Sequence, residues 1–345
     1  MNKLINRRNF IKTTTASGVG LSLAANPSFL YNKEKSQKAL KAGIIGLDTS
    51  HSVAFTKLLN DPNAENDIAG VKVVAAYPQG SKDIESSVSR IPGYTQEIQE
   101  YGVEIVNSID ALLDKVDVIF LETNDGRRHL EQATAVFKAQ KPVFIDKPIA
   151  ASLTDTIAIF NAAKAANVPM FSASSLRYAE NAQAIRNGNK IGKVLGADAY
   201  SPAHLEETHP DLYWYGVHGV ELLYTVMGTG CQQVARTQTE NMDVVIGKWS
   251  DGRIGTFRGM RSGKLGYGGT AFGEEDISPI GPYGGYRPLL VKIVEFFHNG
   301  KPPVEAEETI EIFAFMEAAD ESKRQGGKEI SLESVMKKAI TASEG

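Results

Sequence analysis

Lys147 and His218 are the two residues whose types and settings could move a proton. Lys147 follows the short apolar run Pro142–Ile145, and Pro148 fixes the turn after it, so its amine is expected at the carboxyl end of a strand. There it can hold an oxygen as charge develops, and trade a proton if burial and neighbouring cations lower its pKa. His218 lies in a stretch with helical periodicity, 211–227, whose spacings of three and four bring Asp211, Trp214, His218, Glu221 and Thr225 onto one face. A histidine with a carboxylate one turn away suits general acid–base chemistry, with Glu221 orienting the ring. Each also has a plain structural reading: a surface lysine in a turn, and a half-buried histidine among ordinary helix partners.

Positioning these groups takes a scaffold, and the periodicity describes one. Apolar runs at 42–47, 71–77, 103–106, 117–121, 142–145 and 168–172 read as strands, and 51–60, 82–90, 109–115, 127–139 and 153–166 carry apolar residues at helical spacing. Strands alternating with helices imply a doubly wound parallel sheet, since parallel neighbours need a crossover. Beyond a boundary near residue 173, runs at 193–201, 231–238, 242–249 and 253–260 read as an open, mostly antiparallel sheet, followed by helices at 287–298 and 304–324. The glycine-rich stretch Gly263–Gly273 reads as a mobile loop that approaches the site.

The 345 residues allow about two domains, and 42% hydrophobic with 23% charged residues is an ordinary globular composition. Net charge is −4, which argues against a nucleic-acid partner, and a single cysteine, Cys231, excludes an internal disulfide. Paired arginines in Asn6-Arg7-Arg8-Asn9-Phe10-Ile11-Lys12, followed by a weakly apolar stretch from Ala16 to Ala25, resemble a twin-arginine export signal over residues 1–26, with a polar linker at 27–40. The apolar run is too short and polar to span a membrane, so a periplasmic or otherwise exported chain with no membrane anchor is expected. Its alternative is a basic amphipathic helix. Export by this route favours a protein that carries a cofactor.

Gly43-Ile44-Ile45-Gly46, Asp146-Lys147-Pro148, Val217-His218 and Asn299-Gly300-Lys301-Pro302-Pro303 occur in an order and at separations that resemble the Gfo/Idh/MocA oxidoreductases, across about 43–335. The resemblance implies a Rossmann domain over 41–173 and a C-terminal α+β domain over 174–345 whose sheet forms a homo-oligomer interface. It also implies hydride transfer between a carbohydrate-like substrate and NAD or NADP. Lys147, His218 and Glu221 become the catalytic candidates. Gly46, Asp48, Thr49, Ser50, His51, Ser81, Thr123, Asn124, His129, Asp146 and Lys147 are the cofactor candidates, and Arg177, Tyr178, Trp214 and Tyr215 the substrate candidates.

The chain departs from that pattern in three places. Of the glycines in a G-x-G-x-x-G loop only Gly46 is present; Asp48 stands where a diphosphate would approach, and Asp48, Thr49 and Ser50 could instead cap the following helix. The second strand ends in Ala76-Tyr77-Pro78-Gln79-Gly80 without a ribose-binding acid, and Ser81 and Lys82 could bind a 2′-phosphate or start a helix. Trp214 occupies the place of an aspartate that the family carries before its histidine. Two alternatives therefore stand beside the oxidoreductase: a non-redox carbohydrate-binding or regulatory protein, and a lyase or hydrolase. His204, Glu206, Glu207, His209 and Asp211 hold donors for a divalent metal but no ligand spacing, so they read as a solvated loop and no metal is expected.

Overall fold

In the computed structural model, which describes residues 39–343, six parallel strands form the first sheet. They are β1 (Leu40–Ile45), β2 (Val71–Tyr77), β3 (Glu104–Ile105), β4 (Val118–Leu121), β5 (Val143–Ile145) and β6 (Met170–Ser172), in the spatial order β3-β2-β1-β4-β5-β6. The crossovers are α1 (Ser50–Leu59), α2 (Glu85–Val88), α3 (Ile91–Glu100), α4 (Ile109–Leu113), α5 (His129–Lys138) and α6 (Leu153–Ala166). The order reverses between β1 and β4, and in such sheets ligands bind beyond the carboxyl ends at that point. The central strands β4 and β5 are short and buried on both faces, which is why they read as continuous apolar runs. The stretch read as an export signal, residues 1–26, and most of the expected linker lie outside the described residues.

The second sheet contains β7 (Val194–Pro202), β8 (Cys231–Thr239), β9 (Met242–Trp249), β10 (Ile254–Met260), β11 (Gly268–Gly273), β12 (Ile277–Pro279) and β13 (Ile330–Ser331). Its order is β12-β11-β7-β10-β9-β8-β13, and it is mixed, because β7 and β10 pair in parallel while the other neighbours are antiparallel. Half of the glycine-rich stretch is therefore strand: β11 pairs with both β7 and β12. The helices of this half are α7 (Glu180–Arg186), α8 (Asp211–Trp214), α9 (Val217–Met227), α10 (Arg287–Asn299), α11 (Ala306–Arg324) and α12 (Leu332–Ser343).

Two helices correct the sequence reading. The stretch 211–227 is not one helix, because Tyr215 leaves the helical region and separates α8 from α9. Asp211 consequently leaves the histidine's face and pairs with Arg236 and Lys323. α10 follows the second sheet in the chain, yet its apolar face packs on the first. Phe296 and Phe297 meet Phe171 and Phe120 edge-on, 5.0 and 5.1 Å between ring centroids. With α1 and α3 it covers one face of that sheet, while α4, α5 and α6 cover the other.

Candidate active site

The loop after β1 turns at Gly46, whose φ of +89° a side chain would strain; an added Cβ would also lie 2.5 Å from Thr123 Oγ1. Asp48 then points inward. One carboxylate oxygen accepts the Ser81 N–H at 2.7 Å and the Ser81 hydroxyl at 2.6 Å, and the other accepts the Asn124 N–H at 3.0 Å. The group is fully buried, and at Gly80 a Cβ would come within 2.4 Å of it. The carboxylate therefore ties the β1, β2 and β4 loops together and turns its charge away from the amino end of α1. Thr49 at that end makes no side-chain cap, and the first turn holds no acid, so the capped-helix alternative is not what the chain adopts. A tight glycine turn leading into an uncapped, acid-free helix end is what a dinucleotide's diphosphate requires, so the loop fits that group.

A cleft of about 560 Å³ opens at the carboxyl edge of the first sheet, against the second sheet. Thr49, Ser50, His51, Asn124 and Lys147 line it from one side, and Trp214, Tyr215 and His218 from the other. Lys147 enters from the turn after β5, where its side chain makes no hydrogen bond or ion pair among the described residues. His218, in the first turn of α9, has its Nδ1 at 2.7 Å from the Ser174 hydroxyl and its ring between Tyr215 and Tyr267. Burial, with the charges of Lys147 and His51 added, holds the imidazole well below its usual pKa, so it is neutral near pH 7.

Glu221 does not orient His218. Its carboxylate accepts the Ser174 N–H at 2.7 Å and the Arg177 guanidinium at 2.6 Å, and Arg177 reaches on to Glu308 at 2.8 Å. The ring is held by Ser174 instead, which sequence reasoning missed; its position just past β6 is the signal that could have found it. Arg177 is locked in that buried network and Tyr178 is buried beside it, and neither lines the cleft, so the substrate role expected of them is not supported. Trp214 and Tyr215 do line it, joined by Tyr267, Tyr283 and Tyr286, which carry no helical or strand periodicity to mark them.

The remaining cofactor candidates divide. Thr49, Ser50, His51, Asn124 and Lys147 face the cleft, whereas Asp48, Ser81 and Thr123 build the loops beneath it. His129 is structural: both ring nitrogens meet carbonyls, Thr123 at 2.6 Å and Ile149 at 3.1 Å. The stretch from His204 to Asp211 gathers no metal cluster, since His209 Nε2 accepts the Gly126 N–H and Asp211 faces Arg236. Asp146 lies under the cleft floor, fully buried, with His51 Nδ1 2.9 Å away. Burial alone would raise its carboxyl, but the charges of His51 and Lys147 hold it down at about 2. Glu122 is pushed well above the usual carboxylate range by burial and by Asp146.

Residues 40–174 match the model described as "Oxidoreductase family, NAD-binding Rossmann fold", that of the Gfo/Idh/MocA proteins. No curated protein sequence matches the chain. Among solved structures, one described as a probable dehydrogenase from Thermotoga maritima superposes with a TM-score of 0.69 at 18% identity, over 86% of this chain and 100% of its own. Scyllo-inositol dehydrogenase from Lactobacillus casei, solved with NAD(H) and scyllo-inositol, gives 0.69 at 14% identity over 86% and 99%. An Agrobacterium radiobacter oxidoreductase, solved with NAD+, L-tartaric acid and magnesium, gives 0.67 at 15% over 86% and 99%. At these identities the likeness to solved structures is one of fold.

Proposed function

We propose, from the match of residues 40–174 to the Gfo/Idh/MocA oxidoreductase model, that the chain is an NAD(P)-linked oxidoreductase acting on a carbinol carbon of a sugar, a cyclitol or a related polyhydroxylated compound. The observation that carries this reading is the pairing of Lys147 with a neutral His218 across one cleft. Backbone amides of the loop from Gly46 to Ser50 and the uncapped end of α1 would hold the diphosphate, with Asn124 at the edge. The bound nicotinamide supplies the hydride acceptor or donor. Lys147 holds the substrate oxygen as charge develops on it, and His218, whose Nδ1 is engaged by Ser174, takes the hydroxyl proton at Nε2. Trp214 and the tyrosines offer aromatic faces and hydroxyls, the combination that stacks on a sugar ring and hydrogen-bonds its rim.

The inward turn of Asp48 favours this reading over a fold that has lost its nucleotide, because the charge that would repel a diphosphate is spent on three donors. The first test is nucleotide content: denature the purified chain, assay released NAD(P), and titrate NADH and NADPH by fluorescence, then screen sugars and cyclitols for turnover. No release and no affinity into the millimolar range would overturn the proposal.

Two further parts belong to the same reading. One face of the second sheet exposes Tyr200, Ile246, Ile254, Phe272 and Ile277, interspersed with Asp198, Lys248 and Arg258, a mixed surface rich in large apolar side chains that suits a homo-oligomer interface. The paired Arg7-Arg8 motif supports export, which amino-terminal sequencing of the protein recovered from the periplasm tests.

A further inference from the structure

Three side chains converge beneath the cleft floor from three separate elements. His51 comes from the first turn of α1, Glu122 from the end of β4 and Asp146 from the end of β5. One donor atom of each lies within 4.8 Å of the other two, and His51 Nδ1 is 2.9 Å from Asp146 Oδ2 and 3.9 Å from Glu122 Oε2. Both carboxylates are 0% exposed. Neither Glu122 oxygen has a hydrogen-bond partner, and the one side-chain contact of Asp146 is the short one to His51.

Native interiors leave very few buried polar atoms without partners, so a fully buried, unpartnered Glu122 carboxyl beside the His51–Asp146 contact calls for an explanation. The polypeptide alone provides a poor one. A His51–Asp146 ion pair still leaves Glu122 unsatisfied, ionised or protonated, and Lys147 makes no ion pair with either acid among the described residues. Donors bonded to a metal at about 2.0–2.2 Å stand roughly 3–3.5 Å apart, and the two separations from Nδ1 bracket that range. Two carboxylates also match the charge of a divalent ion. An imidazole in the set favours a first-row transition ion or zinc over magnesium or calcium.

We propose that His51, Glu122 and Asp146 bind one divalent cation of the Zn2+ or Mn2+ class at the floor of the cleft, with an open coordination position facing the cavity. His51 and Lys147 both line that cavity, so a hydroxyl or carboxylate oxygen of the substrate can complete the metal's shell within reach of the proposed acid–base pair. The site rests on these three side chains and not on the hydride-transfer reading.

The test uses tag-free chain stripped with a chelator. Calorimetric titration with Zn2+ and Mn2+ is expected to give one site of micromolar or tighter affinity, weakened at least tenfold in Glu122→Gln and in Asp146→Asn. Because either variant could fail to fold, Co2+ is also added to the unaltered chain, where visible d–d bands of a low-coordinate site are expected and Zn2+ should abolish them. No binding below millimolar Zn2+ or Mn2+ in the folded parent, absence of the cobalt bands, or unchanged affinity in both folded variants would overturn the proposal. NADH titration of the same metal-free sample reports on the oxidoreductase reading separately, so the two fail independently.

Discussion

Asp48 grips Ser81 twice, through its backbone N–H and through its hydroxyl, and so closes the first crossover loop onto the second. Replacing it strands three buried donors, Ser81 N, Ser81 Oγ and Asn124 N. Asp48→Ala should therefore cost on the order of 3 kcal/mol, seen as a melting temperature lower by about 5 °C. NADH affinity, by fluorescence titration, should weaken with it because the loop that would hold the diphosphate loosens. An unchanged melting temperature would mean that the carboxylate contributes nothing net to the fold.

His218 and Ser174 define the second prediction. If His218 Nε2 takes the substrate proton, His218→Ala should lower kcat by about 10²- to 10⁴-fold on whichever substrate is turned over. Ser174→Ala, which frees the ring without removing it, should lower kcat less and leave KM within a few-fold. Equal loss in both would give Ser174 a role beyond positioning.

Arg177 should prove structural. Its guanidinium pairs with Glu221 and Glu308 at a site closed to the cleft, so Arg177→Met leaves the buried Glu221 without its cation, while Glu308 keeps Arg186. The expected penalty is about 3–5 kcal/mol of stability, measured by denaturant melts, with KM of the folded fraction essentially unchanged. A large rise in KM with stability preserved would restore the substrate role.

Acid should destabilise the chain through buried neutral histidines. His218 is held below its usual pKa by burial, and His209 is held at about 4 by burial, with its Nε2 accepting the Gly126 N–H. In the unfolded chain both take up protons near pH 6.5, so the unfolded state binds more protons below that pH. Stability then falls as pH drops from about 6.5 towards 4. Melting temperatures across pH 4–8 test this, and His209→Gln should flatten part of the slope.

The open face of the second sheet supplies the last test. Ile254→Lys and Ile246→Lys place charges on neighbouring strands of that exposed surface. If that face joins copies of the chain, sedimentation velocity should show the double variant shifted to a smaller species. A parent that is already monomeric at micromolar concentration would refute the interface.

The first sheet was legible because its central strands are buried on both sides and appear as apolar runs; even β2, with Lys72 exposed, matches its run Val71–Tyr77 residue for residue. β11 was not, since its Gly268 and Gly269 lack the branched side chains that mark strands and are held there by pairing with β7. The helix expected over 211–227 shows a different failure. Spacing of apolar residues continued through Tyr215, where the helical backbone does not, so Asp211 was assigned to a face it never shares. At the site, Lys147 and His218 could be read because each lies on a recognisable element. Glu122, Asp146 and His51 come from three elements far apart in sequence, and only the order of the strands brings them together.

The return of α10 to the first sheet bears on how the chain comes to be folded at all. Phe120, Phe144 and Phe171 are complete in sequence well before Leu289, Phe296 and Phe297 exist to cover them. During synthesis, the first half must wait with an aromatic surface bare until about residue 300 has emerged, and a fragment ending at residue 174 should be sticky and poorly soluble. The match to the family model over residues 40–174 thus stops well short of the helix that completes their core. The last wall of that core is delivered by the far end of the chain, along with Tyr286, whose ring rests 4.5 Å from that of His51.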